Sequence, residues 1–184
     1  GSMKQFYKTL YVNDFIYGYL DNINHEELEK TCIENYKKRL NENRWHTRYE
    51  DIAIPFSEEI TKIIDQMSLA YSNKFNKSLI LKDEPINFWA QVHYKNESTQ
   101  SHNHLNVDYP KNSPDVSGVY YIKVPKNSGD LVLKYKKHKL DFSSIVFNPE
   151  ERKFIIFQSG LDHYVTPNLN EEPRIIISFN FKII

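Results

Sequence analysis

Arg174-Ile-Ile-Ile-Ser-Phe-Asn-Phe181 is the stretch whose reading decides the fold. Positions 174, 176, 178 and 180 carry Arg, Ile, Ser and Asn, while the positions between them carry Ile, Ile, Phe and Phe. Strand side chains alternate between two faces, so this run reads as a strand with one wholly apolar face. Polar groups on the other face of so hydrophobic a strand point to a lined cavity more than to a solvated edge. An arginine that opens a strand can equally sit in solvent. Working outward, further β-rich runs appear at Ile86–Tyr94, Val116–Val124, Asp130–Tyr135, Ser144–Phe147 and Lys153–Phe157, with the last run reaching Ile184. Asn, Pro, Gly and Asp turns separate them. Strands of this number and spacing, with no helices between them, predict a sandwich or barrel, here a jelly roll.

Before about Leu79 the period is helical. Asn24 precedes His25-Glu26-Glu27-Leu28-Glu29, which puts acids in a first turn where the helix dipole favours them. Leu28, Cys32 and Tyr36 follow at four-residue steps with Ile33 and Leu40 nearby, a single buried stripe. Ser57-Glu58-Glu59-Ile60 reads as a second cap, and Ile60, Ile63, Ile64, Met67, Ala70, Tyr71 and Phe75 keep helical spacing to about Phe75. Both helices are read as packing elements. No repeat or low-complexity linker interrupts the chain. The expectation is one domain over 1–184, with 1–78 a helical support and 79–184 the jelly-roll core.

The chain has 184 residues, with 24 basic against 24 acidic side chains and no long block of either sign. That argues against nucleic-acid binding by bulk electrostatics and leaves a small anionic ligand open. Cys32 is the lone cysteine, so neither a disulfide framework nor a thiolate zinc cluster is available. No apolar run approaches the roughly 20 residues of a membrane span. The N-terminus lacks the apolar core of a secretory signal, and Gly1-Ser2 ahead of Met3 reads as a remnant of tag removal. A soluble, reducing, cytoplasmic setting without membrane or nucleic-acid partners is expected, and the oligomeric state is open.

Seven histidines are present. His25, His46 and His138 sit in polar surroundings and read as solvated. His102-Asn103-His104 differs, because two imidazoles at i and i+2 on an extended segment point the same way. His163 lies between the apolar run Phe154-Ile155-Ile156-Phe157 and Val165-Thr166-Pro167, at the end of a core strand. It can complete one face of a metal. Three protein ligands with open positions suit non-haem iron(II) binding a co-substrate and oxygen, and Arg174 would hold a carboxylate of that co-substrate. The literal HNH string does not indicate an HNH nuclease, whose ββα-metal unit needs a following helix that is missing here.

Together these residues resemble a known family. His102-Asn103-His104, Ser117-Gly118-Val119-Tyr120-Tyr121, Phe157-Gln158-Ser159-Gly160-Leu161-Asp162-His163 and Arg174 through Phe181 stand in the order found in iron(II)- and 2-oxoglutarate-dependent oxygenases. The stretch from Trp89 to Phe181 is most similar to a branch common in phage and marine bacterial genomes, and its spacing parallels the prolyl hydroxylases. The resemblance implies a double-stranded β-helix, iron(II), 2-oxoglutarate as co-substrate, and O2. It implies a host-cell or bacterial cytoplasm and a small-molecule or protein substrate. It also implies hydroxylation of an unactivated C–H bond, with release of succinate and carbon dioxide.

Residue by residue, the resemblance makes His102 and His163 metal ligands and pairs Arg174 bidentately with the distal carboxylate of 2-oxoglutarate. Tyr121 takes the place of a tyrosine that hydrogen-bonds that carboxylate, and Ser178 can add a hydroxyl. The strand Ile86–Tyr94 would line the same pocket with Tyr94 or His93 facing in. Most of the superfamily has His-x-Asp or His-x-Glu, and this chain has His104 in the third slot. His104 is the favoured third ligand and Asp108 the alternative. Two other readings stay open: a three-histidine cupin-type dioxygenase without a 2-oxo acid, and a non-enzymatic jelly-roll binding module.

Overall fold

The alternation in the last strand is realised over its whole length. In the computed structural model, which describes residues 14–42, 52–82, 87–105, 108, 110–138 and 141–184, β10 (Arg174–Ile183) is the pivot of a six-stranded antiparallel sheet. β1 (Phe15–Tyr19), β8 (Lys153–Gln158) and β5 (Val116–Lys123) lead up to one side of β10. On its other side β3 (Phe88–His93) pairs with Arg174–Phe179, and β2 (Leu79–Leu81) pairs with Phe181–Ile183. A second sheet has the order β4 (Thr99–His102), β9 (His163–Val165), β6 (Leu131–His138) and β7 (Asp141–Phe147). His46, Ile86, Asn106 and Gly1 to Met3 lie outside the described residues, as does the side chain of His138.

Two cores follow from the two faces of the larger sheet. Ile175, Ile177, Phe179 and Phe181 of β10, with Tyr120 and Ile122 of β5, pack against α1 (His25–Glu42) and α2 (Glu58–Phe75). On the other face Ile176, Tyr121, Ile155 and Phe157 meet Leu131, Leu133, Phe147 and Val165 of the smaller sheet. This is the expected jelly-roll arrangement, two antiparallel sheets face to face with helices outside. Each buried Leu, Ile or Phe stabilises such a core by roughly 1.5–3 kcal/mol. Helix α2 comes so close to β5 that a Cβ on Gly118 would sit 2.4 Å from Met67 Cε.

The caps form as expected. Ser57 Oγ accepts the Ile60 amide at 3.3 Å, and Asn24 Oδ1 accepts the Glu27 amide at 3.1 Å. Helix α2 ends on Asn76, held left-handed at φ 55°, a conformation asparagine tolerates. Leu40 departs from the buried stripe and is exposed. The N-terminal 78 residues are not purely helical, since β1 lies within them and pairs with β8. His25 is not simply solvated either. Its ring nitrogens meet the Ile122 carbonyl and the Tyr120 hydroxyl, tying α1 to β5.

Candidate metal centre

His102 closes β4 and His163 opens β9, and the two are cross-strand partners in the register. Directly opposed residues project to the same face, which brings their ring centroids to 4.3 Å. His104 follows two residues beyond the strand end, with its amide bonded to the Ser159 carbonyl at 2.9 Å. Its ring centroid lies 5.3 Å from that of His102 and 5.0 Å from that of His163. One nitrogen from each imidazole lies within 4.8 Å of the others. Asp108 is exposed and is not in this group.

Each imidazole has its Nδ1 engaged by an oxygen. His102 Nδ1 is 2.8 Å from the Gln100 carbonyl and His163 Nδ1 is 2.9 Å from the Leu161 carbonyl, both two residues upstream. His104 Nδ1 is 2.8 Å from Asn180 Oδ1 and 2.8 Å from Ser117 Oγ. A carbonyl oxygen only accepts, so each Nδ1 carries the proton and the lone pair falls on Nε2. Burial, reinforced by the other two imidazoles, pushes His163 down to about 3, which keeps it neutral. Neutral imidazoles are the form that binds a metal. The donor set therefore fits a divalent first-row ion on one face, with the other face open.

The cavity beside these rings is lined by Gln91, Tyr121, Arg174, Ile176 and Ser178, among others. Arg174 is 1% exposed, so the alternative of a solvated strand-end arginine does not hold. Among the described residues no carboxylate lies within ion-pair distance of it. Its Nη1 reaches Gln91 Oε1 at 3.4 Å and its guanidinium carbon lies 5.3 Å from the Tyr121 ring, while its Nε has no hydrogen-bond partner. Burial lowers the Arg174 pKa, yet a guanidinium keeps its proton in proteins. A buried cation left this way is costly unless an anion completes it. The site thus has a place for a metal and, along the same cavity, a place for a carboxylate.

Ser178 lines this cavity and Tyr94 does not. The Tyr94 ring lies 5.2 Å from that of Tyr36 of α1, tilted by 37°, on the helix side of the sheet. On β3 it is Trp89 and Gln91 that line the cavity; His93, fully buried and in register with Arg174, does not line it either. Thr99 bridges the Gln91 amide at 3.0 Å and His93 Nε2 at 3.1 Å. Sequence reasoning gave Gln91, Thr99 and Ser117 no individual role. The polar alternation Gln91, His93 inside Phe88–His93 was the available signal.

Residues 87–180, about half of the chain, match the family model described as "Putative 2OG-Fe(II) oxygenase". No curated protein sequence gives a significant match. Among solved structures, a prolyl-4-hydroxylase from Pseudomonas putida is similar at 15% identity and a TM-score of 0.55, over 92% of this chain and 88% of that one. The carbocyclase SnoK from nogalamycin biosynthesis, described as non-heme and alpha-ketoglutarate dependent, is similar at 9% identity and a TM-score of 0.61, over 92% and 79%. HygX from Streptomyces hygroscopicus, with nickel and 2-oxoglutarate bound, is similar at 12% identity and a TM-score of 0.54, over 92% and 83%. At these identities the structural likeness speaks to the fold.

Proposed function

The chain belongs to the 2-oxoglutarate- and iron(II)-dependent oxygenase family, and on that premise we propose that His102, His104 and His163 hold the iron. Arg174 takes the distal carboxylate of 2-oxoglutarate, with Tyr121 and Ser178 adding hydroxyl contacts. When bound, iron(II) with 2-oxoglutarate and O2 supplies the oxidising chemistry, releasing succinate and carbon dioxide as a substrate C–H bond is hydroxylated. The chain's own part is to fix three Nε2 lone pairs, to anchor the co-substrate and to exclude water. The substrate class proposed is a protein side chain, an amino acid or another small metabolite. Balanced charge and a single buried cysteine support a cytoplasmic setting without nucleic acid. Among the described residues no helix is long and apolar enough to cross a membrane.

The observation that carries this reading is the buried Arg174 guanidinium, facing the cavity of the three histidines with no carboxylate within ion-pair distance among the described residues. A three-histidine dioxygenase that used no 2-oxo acid would have no task for it. The test is an anaerobic titration with iron(II) and 2-oxoglutarate, following the metal-to-ligand charge-transfer band. Truncating one partner of a buried charge pair commonly costs about 2–5 kcal/mol. Arg174→Ala is therefore expected to raise the 2-oxoglutarate requirement by one to a few orders of magnitude while iron(II) binding survives. Arg174→Lys falls between, keeping the charge and losing the fork. Wild-type binding of 2-oxoglutarate by Arg174→Ala, with no succinate formed by the wild type, would overturn the assignment.

A further inference from the structure

The three imidazoles are not oriented by the same means. His102 and His163 each give Nδ1 to a backbone carbonyl two residues upstream on their own chain segment, an arrangement no side-chain substitution can remove. His104 has instead two side chains from the opposite sheet at its Nδ1, Asn180 of β10 and Ser117 of β5. These two are register partners, so both project from one level of the larger sheet. Ser117 Oγ is 3.1 Å from Asn180 Oδ1 and 3.1 Å from Ser159 Oγ, and all three side chains belong to buried residues. With Asn180 Oδ1 turned toward the imidazole, only the tautomer with its proton on Nδ1 is satisfied.

We propose that Asn180, seconded by Ser117, is the positioning residue that sets the tautomer and ring plane of His104. It thereby brings the third nitrogen ligand to the metal from the larger sheet. The inference rests on the reading of His104 as a ligand. An imidazole has two nitrogens and rotates about its Cβ–Cγ bond, so without a fixed acceptor the wrong nitrogen faces the metal part of the time. Partners of this kind behind a metal ligand are typically worth 10- to 100-fold in metal affinity. Because the acceptor comes from β10, the strand that also carries Arg174, one element registers both the metal and the anion place.

The test measures metal affinity in the full chain, by anaerobic iron(II) titration and by the d–d absorption of cobalt(II), alongside the melting temperature of the metal-free protein. Asn180→Leu removes the acceptor at similar volume and is expected to weaken both metals about 10- to 100-fold. Asn180→Asp keeps the acceptor and places a charge behind the ring. It is expected to tighten metal binding while lowering metal-free stability, an opposition that a merely structural role does not produce. His104→Ala combined with Asn180→Leu is expected to bind no more weakly than His104→Ala alone. If Asn180→Leu binds metal like the wild type while His104→Ala does not, the positioning role is overturned and the ligand reading stands. Should Asn180→Leu not fold, Asn180→Asp decides: a fall in metal affinity together with stability overturns the role. Wild-type affinity in His104→Ala would instead remove the ligand reading itself.

Discussion

Which face of a strand a side chain occupies decides whether it reaches the cavity. Trp89, Gln91 and His93 lie on one face of β3, and Tyr94, the next residue along, turns to the helices. The histidines and Arg174 were legible because such side chains are conspicuous at extended spacing beside apolar runs. Gln91, Thr99 and Ser117 were not, since neutral polar residues are ordinary in strands until the fold shows a buried charge opposite them. Gln91 offers a direct trial of that charge. Its Oε1 already points at Arg174 Nη1, so Gln91→Glu would supply an internal carboxylate that competes with the co-substrate for the guanidinium. The expected outcome is at least about a tenfold weaker binding of 2-oxoglutarate with iron(II) affinity unchanged. The metal-free melting temperature should not fall, because the new charge neutralises a buried one. Unaltered 2-oxoglutarate binding would show that the carboxylate seat lies elsewhere.

At the scale of elements, length and periodicity separated what could be read from what could not. The helix from Glu58 to Phe75 has its cap and its buried stripe Ile60, Ile63, Met67 and Tyr71 written in consecutive turns. The longer strands show alternation or an unbroken apolar run. β4 is Thr-Gln-Ser-His with one buried residue in four, and β9 is three residues long. Neither is long enough to display a period, yet these two carry His102 and His163. Their partners, not their composition, make them strands. β1 was hidden for another reason, lying next to helical sequence and pairing with β8 far along the chain. The helix side of the larger sheet is remote from the cavity, and that separates stability from function. Ser57→Ala removes the α2 cap and is expected to cost about 1 kcal/mol, read in a urea melt, with metal and 2-oxoglutarate affinities unchanged. A loss of co-substrate binding in that variant would mean that α2 shapes the cavity through the sheet.

For the whole molecule, the site lies between the sheets: His102 and His163 on the smaller, Arg174 on the larger, and His104 bonded across to it. The fold thus keeps imidazoles buried between the sheets, at the expense of acid stability. His93, fully buried, is driven down to about 3 by desolvation first and by the neighbouring Arg174 second. The unfolded chain protonates a histidine near pH 6.5. Folding depresses this pKa, so the stability tied to neutral His93 is complete above about 6.5 and is lost as pH falls toward 3. Within that window the slope is about 1.4 kcal/mol per pH unit for each such group, and His163 adds its own share in the metal-free protein. Denaturant melts of the metal-free chain from pH 8 to 5 should therefore show stability flat at first and then falling below about 6.5. His93→Gln should reduce that slope by one group's share, with the remainder following His163 and His25, whose pKa burial also lowers. Because metal ligands must be deprotonated, iron(II) affinity should decline over the same range. An acid slope identical in wild type and His93→Gln would mean that His93 accepts its proton inside the folded protein, and the account of a dry, cationic seam around Arg174 would have to be abandoned.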